Sequence, residues 1–149
     1  MKKIFFFFFA TAVVFLLISI LPQILKKTVP SATIDDYTFK IEVAKTDKEK
    51  ETGLAKYNKI SNDFGMLFPF GKEGYYSFWM KNMKFPIDII FIRNGKIIKI
   101  FANVPPPKTD NSPLPIYRPD SLSDTVLEIN AGLSQKYGFK EGDSVSINY

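Results

Sequence analysis

Apolar and polar positions alternate in the segment YTFKIEVA at residues 37–44. Side chains of a strand point alternately to opposite faces, so this pattern predicts a strand with one buried face. Short apolar runs at 125–129 and 144–149 predict two further strands. Strands therefore account for much of the predicted structure.

Two short helices are predicted by the residues at their ends. Thr46, followed three positions later by Glu49, fits a capping box and predicts the start of the first helix. Asn130 is a typical N-cap residue for a second helix over 131–137, and Gly138 favours the left-handed conformation that ends a helix. Both predicted helices are short.

Residues 64–83 are rich in aromatic residues and Met, and glycines interrupt them at three positions, as the sequence FGMLFPFGKEGYYSFWMKNM shows. This pattern predicts two short strands around a turn, with most of the large side chains in the core. If 77–83 is the second strand, Trp79 and Lys81 share a face with Ser77.

The clearest local signal is IDIIFIRNGKIIKIF at 87–101, in which Asn94-Gly95 favours a two-residue hairpin turn. The turn predicts cross-strand partners whose residue numbers sum to 189. The predicted pairs are Ile92 with Ile97, Phe91 with Ile98, Ile90 with Lys99, and Asp88 with Phe101. One face is predicted to be core and carries Ile87, Ile89, Phe91, Ile98 and Ile100. The other face is amphipathic and places Asp88 diagonally from Lys99.

Residues 103–124 contain six prolines without apolar periodicity, which predicts a long structured loop. With no repeated strand–helix–strand units, the elements predict a mostly β domain with two short helices, an α+β fold. A small barrel and a sandwich both fit this pattern.

The N-terminal run carries no charge from Ile4 to Leu21 and reaches Leu25 before Lys26. Eighteen helical residues span roughly 27 Å, close to the thickness of a bilayer core, so the run predicts a transmembrane signal anchor over 1–27. A cleaved signal peptide is the alternative, although the run is long and a good cleavage site is absent. Residues 28–35 are predicted to be a linker and 36–149 a single globular domain.

The charges around this run predict its orientation. Lys2, Lys3 and the amino terminus precede the run, and two lysines follow it. This balance predicts a single-pass membrane protein with its N-terminus in the cytoplasm and its domain outside the cytoplasm. Membrane contact is therefore predicted through the N-terminal helix.

Charge and composition narrow the possible chemistry. The formal net charge is +5, but four of the twenty basic residues flank the apolar run, so the rest of the chain has sixteen basic and fifteen acidic residues. That balance argues against nucleic-acid binding, which needs clustered positive charge. The chain has no Cys and no His, which excludes disulfides, thiol nucleophiles and the usual zinc, copper or haem ligands. We expect no metal and no cofactor.

Three motifs follow one another in the predicted domain: GMLF at 65–68, FWMKN at 78–82 with FPIDIIF at 85–91, and LEINAG at 127–132. Together they resemble the family called domain of unknown function 192. The segments EVA at 42–44, GL at 53–54 and EGD at 141–143 are also similar, so the resemblance covers nearly all of 36–149. It implies a compact, mostly β domain, commonly preceded by a signal or anchor segment, with no established activity. Ala55 departs from the family, which usually has Met there.

Exposed aromatic and cationic residues suggest a binding site. A groove under the proline-rich loop, lined by Trp79, Lys81, Tyr117 and Arg118, would offer a stacking platform and cations to a polar ligand. The competing interpretation is structural: Trp79 packs beneath the loop and Lys81 is solvated. We expect a non-enzymatic binding or accessory module for an unknown polar ligand or envelope partner.

Two carboxylates suggest an enzymatic alternative, a hydrolase or lyase with Asp88 and Glu128 as acid and base. This requires both groups to face one open pocket. The simpler prediction is that Asp88 is structural, paired with Lys99 or with a backbone amide, and that Glu128 caps or pairs. A cupin-like oxygenase fits less well because histidine ligands are absent.

Overall fold

The computed structural model describes residues 29–109 and 112–149, and the predicted signal anchor lies outside these residues. Within the described ranges, no helix combines the length and the apolar character needed to span a membrane. The anchor, its orientation and the location of the domain therefore stay predictions.

The described chain contains seven strands and three short helical segments. The strands are β1 Ser31–Ile34, β2 Tyr37–Val43, β3 Phe64–Gly74, β4 Ile87–Arg93, β5 Lys96–Val104, β6 Ser123–Asn130 and β7 Val145–Asn148. The helices are α1 Asp47–Thr52, a 3₁₀ helix Gly53–Lys56 and α2 Leu133–Tyr137. A mostly β domain with two short α-helices is therefore confirmed.

The strands form one sheet in the order β5-β4-β6-β3-β2-β1-β7. Its two edge strands meet at one end, where Lys96 and Ser144 form an antiparallel bridge. The N–H of Val145 donates to the carbonyl of Gly95 at 2.7 Å and strengthens this contact. Because the edges pair there, the sheet is barrel-like.

The central strands are buried on both faces. All residues from Ile87 to Ile92 in β4 are buried, which explains why the strand reads as a continuous apolar run. One face contributes Ile90, with Leu127 of β6, to a cluster inside the curled sheet. The other face contributes Ile89 to a second cluster, which contains Leu54 of the 3₁₀ helix and Met80.

β2 and β3 are the one parallel pair among the strands described, and parallel neighbours need a crossover connection. Here α1 and the 3₁₀ helix provide it. The predicted capping box is confirmed: Thr46 Oγ1 accepts from the N–H of Glu49, and Glu49 Oε2 accepts from the N–H of Thr46 at 2.8 Å. The crossover thus lies over the outer face of the sheet with a fixed start.

The predicted hairpin register is correct only next to the turn. Ile92 pairs with Ile97, but Phe91 pairs with Lys99 because a bulge inserts Ile98 as an extra residue. The bulge turns Ile100 to the inner cluster and Phe101 to the outer one, opposite to the prediction.

Three other predictions on local structure are corrected. Part of the predicted linker is β1, since Ala32 and Ile34 are buried and the strand pairs with β2 and β7. The predicted second strand at 77–83 is irregular apart from a single bridge at Phe78, and Asn82 near its end adopts a left-handed conformation with φ of +59°. Asn130 belongs to β6 and donates to the carbonyl of Ile60, so it does not cap α2.

Candidate functional site

A cavity lies between the crossover, strands β3 and β6, and the irregular segment 76–83. Its volume is about 260 Å³. Its lining is Lys50, Glu51, Thr52, Gly53, Leu54, Phe68, Phe70, Tyr76, Ser77, Phe78, Trp79, Lys81, Met83 and Glu128. We call it the Glu128 cavity. Its mixture of aromatic walls and a few polar groups is typical of small-molecule sites.

Glu128 lies two residues before the end of β6 and is 5% exposed. Its Oε2 atom is buried and has no hydrogen-bond partner within residues 29–109 and 112–149. Burial raises the pKa of the Glu128 carboxyl to about 8, because the charged form loses its hydration. At neutral pH the group is therefore mostly a neutral acid that can donate one hydrogen bond.

Gly53 gives the carboxyl group its space. The residue has φ of +52°, which favours glycine, and an added Cβ would lie 3.8 Å from Glu128 Oε2 and 3.4 Å from Phe68 Cζ. The turn from α1 into the 3₁₀ helix therefore passes close to the floor of the cavity without filling it.

Trp79 and Lys81 line the same cavity, as their predicted common face with Ser77 requires. Trp79 is 44% exposed, and Lys81 Nζ lies 5.4 Å from the centre of its ring. Phe78 and Met80, on the other side of this segment, pack in the outer core. The predicted alternation is only partly kept, because Phe78 also lines the cavity, whereas Met80 does not.

Tyr117 and Arg118 do not line the cavity that contains Trp79 and Lys81. Tyr117 pairs with Phe78 through two backbone hydrogen bonds, and its ring packs edge-on against Phe101 at 5.5 Å. It lines a different groove, under the prolines at 105–107, together with Met80. Arg118 is exposed and lines neither cavity. The predicted four-residue groove does not form: Trp79 and Lys81 line one cavity, Tyr117 lines another, and Arg118 lines neither.

Asp88 is fully buried and accepts three backbone hydrogen bonds. Its Oδ1 accepts from the N–H groups of Asn103 at 2.7 Å and Gly132 at 3.0 Å, and Oδ2 accepts from Ser134 at 2.8 Å. Asn103 lies in the second bulge of β5, and Ser134 in the first turn of α2. The amide alternative for Asp88 is confirmed.

Lys99 is not the partner of Asp88. Its Nζ pairs with Glu141 Oε1 at 3.2 Å, and both side chains of this ion pair are largely exposed. The predicted Asp88–Lys99 pair is wrong because the Ile98 bulge changes the register between them.

The acid–base pair of Asp88 and Glu128 is also wrong. Asp88 lies opposite Ile129, and Ile89 lies opposite Glu128, in an unbroken antiparallel register. Directly opposed residues share a face and consecutive residues alternate, so the two carboxylates point to opposite faces of the sheet.

Most of the residues that line the cavity were not predicted as site residues, among them Gly53, Leu54, Phe68, Lys50 and Glu51. Three of these, Gly53, Leu54 and Phe68, belong to the motifs GL and GMLF. The motifs containing Trp79 and Glu128 converge on the same cavity. This convergence of separate motifs was the signal that could have located the site.

A family comparison identifies this combination of fold and motifs. The model of the domain of unknown function 192 family, described as an uncharacterized ACR, matches residues 30–147. The chain belongs to this family. The match starts just before β1 and ends within β7, so the family domain coincides with the barrel-like sheet. No curated protein matches the chain significantly.

Two solved structures resemble this family member over most of its length. A protein of unknown function from Novosphingobium aromaticivorans DSM 12444 is 27% identical, with a TM-score of 0.72 over 81% of this chain and 94% of that one. A protein described as a candidate transcription regulator from Sinorhizobium meliloti 1021 is 29% identical, with a TM-score of 0.71 over 79% of this chain and 92% of that one. Both likenesses support the fold of this domain of unknown function 192.

Proposed function

We propose that residues 30–149 form a non-enzymatic binding module outside the cytoplasm, tethered by the apolar run at 4–25, and that the Glu128 cavity holds its small ligand. The uncharged run and the lysines around it support the tether and the orientation. The cavity supports the binding role.

One observation carries this proposal: the buried Glu128 Oε2 has no partner among the described residues although it faces a cavity. Buried polar atoms are almost always hydrogen-bonded, and one left unpaired commonly has a functional reason. A ligand in the cavity would provide the missing partner. Trp79, half-exposed at the same cavity, would supply a stacking surface.

The charge balance disfavours nucleic acid as the partner. Sixteen basic and fifteen acidic residues follow position 27, so the domain carries little net charge. A relative described as a candidate transcription regulator therefore does not extend that role to this chain. The proposed partner is a small molecule.

Trp79 provides the test because it is the single tryptophan of the chain. Three probes of similar size and different charge, benzylamine, benzyl alcohol and benzoate, are titrated into the full-length chain in lipid nanodiscs. We expect at least one probe to change Trp79 fluorescence in a saturable way. N-acetyltryptophanamide corrects for quenching in solution.

A blocking variant and its matched control place the binding in the cavity. Ser77→Phe puts a ring on an exposed cavity residue, and Ser121→Phe puts the same ring on an exposed serine outside the lining. Saturation should be lost in the first variant and kept in the second. Equal saturation in both variants would contradict binding in the cavity, and no saturation with any probe would contradict the binding role.

A further inference from the structure

The surroundings of Glu128 show where a partner for its carboxyl group must come from. Met66 of β3 and Ile89 of β4 lie directly opposite it in the neighbouring strands, so its partners across the sheet are apolar. Leu54 and Phe68 line the same cavity. A hydrogen-bond partner for Glu128 Oε2 must therefore come from within the cavity.

Five aromatic side chains line the cavity: Phe68, Phe70, Tyr76, Phe78 and Trp79. Two of these rings already lie beneath ammonium groups of the protein. Lys50 Nζ is 4.9 Å from the centre of the Phe70 ring, and Lys81 Nζ is 5.4 Å from that of Trp79. Aromatic faces carry negative electrostatic potential, so these walls attract cations.

Four other titratable or charged groups line the cavity around Glu128. Lys50 and Glu51 come from α1, and Tyr76 and Lys81 from the segment that follows β3. Lys81 is exposed and Lys50 is half-buried, so water and salt weaken the repulsion of a second cation more at Lys81 than at Lys50. A charge on the desolvated Glu128 acts more strongly, because its surroundings are less polar.

We propose that the ligand of the Glu128 cavity is a small organic cation with N–H donors, such as a primary amine or a guanidinium, bound as an ion pair with Glu128. This inference rests on the proposed function and names its ligand class. The ammonium group would donate to Oε2, and the apolar part of the ligand would contact the aromatic walls.

Binding of this kind changes the protonation of Glu128. Burial raises the pKa of the free carboxyl to about 8, so at neutral pH the group carries a proton before the ligand arrives. The ligand keeps its own protons, and Glu128 releases one proton to the solvent as the ion pair forms. No covalent bond forms or breaks in the ligand, and affinity rises with pH.

Calorimetry of the full-length chain in nanodiscs tests this linkage with benzylamine, a cation between about pH 6 and about pH 8. The fraction of ionised Glu128 rises about 50-fold over this range, and we expect the affinity to rise by a similar factor. Titrations in buffers of different ionisation enthalpy should show close to one proton released per benzylamine at neutral pH. Benzyl alcohol should release none.

Two variants assign the proton to Glu128. Glu128→Gln should remove the proton release and most of the dependence on pH, because the amide cannot ionise. Glu51→Gln removes a carboxylate from the same lining and should keep both the proton release and the dependence on pH.

A third variant tests the repulsion between the ligand and Lys81. Lys81→Gln should strengthen benzylamine binding about two-fold, since it removes a repulsive charge at partial exposure.

The outcomes separate this inference from the proposed function. Binding of benzyl alcohol or benzoate more tightly than benzylamine, without proton release, would overturn the cationic ligand and leave the binding role standing. Proton release that persists in Glu128→Gln would also overturn the inference. Failure of all three probes to bind would overturn both.

Discussion

Asp88 and Glu128 occupy neighbouring strands one register position apart, yet their carboxyl groups point to opposite faces of the sheet. Asp88 accepts three backbone hydrogen bonds, whereas Glu128 Oε2 has no partner in the part of the chain that the structure describes. The same residue class thus serves two purposes. The Asp88 carboxylate holds parts of the fold together, and the Glu128 carboxyl group lines a cavity.

Asp88 joins three separate parts of the chain, because its acceptors hold the bulge at Asn103 and the first turn of α2. Gly132, the N-cap residue of α2, provides no side-chain cap. The side chain of Asp88, which lies on β4, accepts from the first amides of α2 in its place. We expect Asp88→Asn to lower the free energy of unfolding by about 2 to 4 kcal/mol, because its NH₂ group must face at least one backbone donor. Urea unfolding of the full-length chain in detergent measures this loss.

Lys99→Met is the matched control for this prediction. Its ion pair with Glu141 is exposed, so the variant should cost about 0.5 kcal/mol or less. The double variant with Asp88→Asn should show additive losses, because the two residues share no contact. A coupling of 1 kcal/mol or more would contradict the separate roles.

Glu128 makes the stability of the chain depend on pH. Its pKa rises from an ordinary 4.5 to about 8 on folding, so the folded state holds a proton that the unfolded state loses. The stabilising contribution is complete below about pH 4.5 and is lost as the pH rises to about 8, at about 1.4 kcal/mol per pH unit. Urea unfolding across this range should show a slope that Glu128→Gln reduces and Glu51→Gln retains. An unchanged slope in Glu128→Gln would place the effect in another group.

Sequence reasoning located the secondary structure well where short-range signals act. The capping box of Thr46 and Glu49 and the left-handed Gly138 are set by neighbouring residues, and all are present. The Asn94-Gly95 turn also forms, with both residues at positive φ. A bulge at Ile98 has no comparable local signature, so the register beyond it could not be predicted.

The candidate site was only partly predictable for a related reason. The chemistry of Trp79 and Lys81 marked them as candidate site residues. Which other residues line their cavity depends on contacts between segments that are distant in sequence. Glu128 faces Gly53 only because the crossover after β2 lies over β6. No local pattern could show that Asp88 and Glu128 have opposite faces, since this follows from the pairing of β4 with β6.

The N-terminal run predicts how the protein is held in the cell. We expect alkaline carbonate extraction to leave the full-length chain in the membrane pellet, with an intact N-terminus on sequencing, because the uncharged stretch from Ile4 to Leu21 is long enough to span a bilayer. A protease added outside the cytoplasmic membrane should reach the domain. A released product that starts near Thr33 would instead indicate a cleaved signal peptide.

The protonation of Glu128 tests the account of the cavity most directly. The full-length chain, labelled with ¹³C at the glutamate carboxyl groups and held in nanodiscs, is titrated by NMR with and without benzylamine. We predict one glutamate carboxyl with a midpoint near pH 8, absent from Glu128→Gln and moved well downward when benzylamine is bound. If every glutamate titrates near its ordinary pKa of 4.5, the account of Glu128 as a buried neutral acid is wrong. If benzylamine leaves the Glu128 midpoint unchanged, Glu128 does not form the proposed ion pair with a cationic ligand.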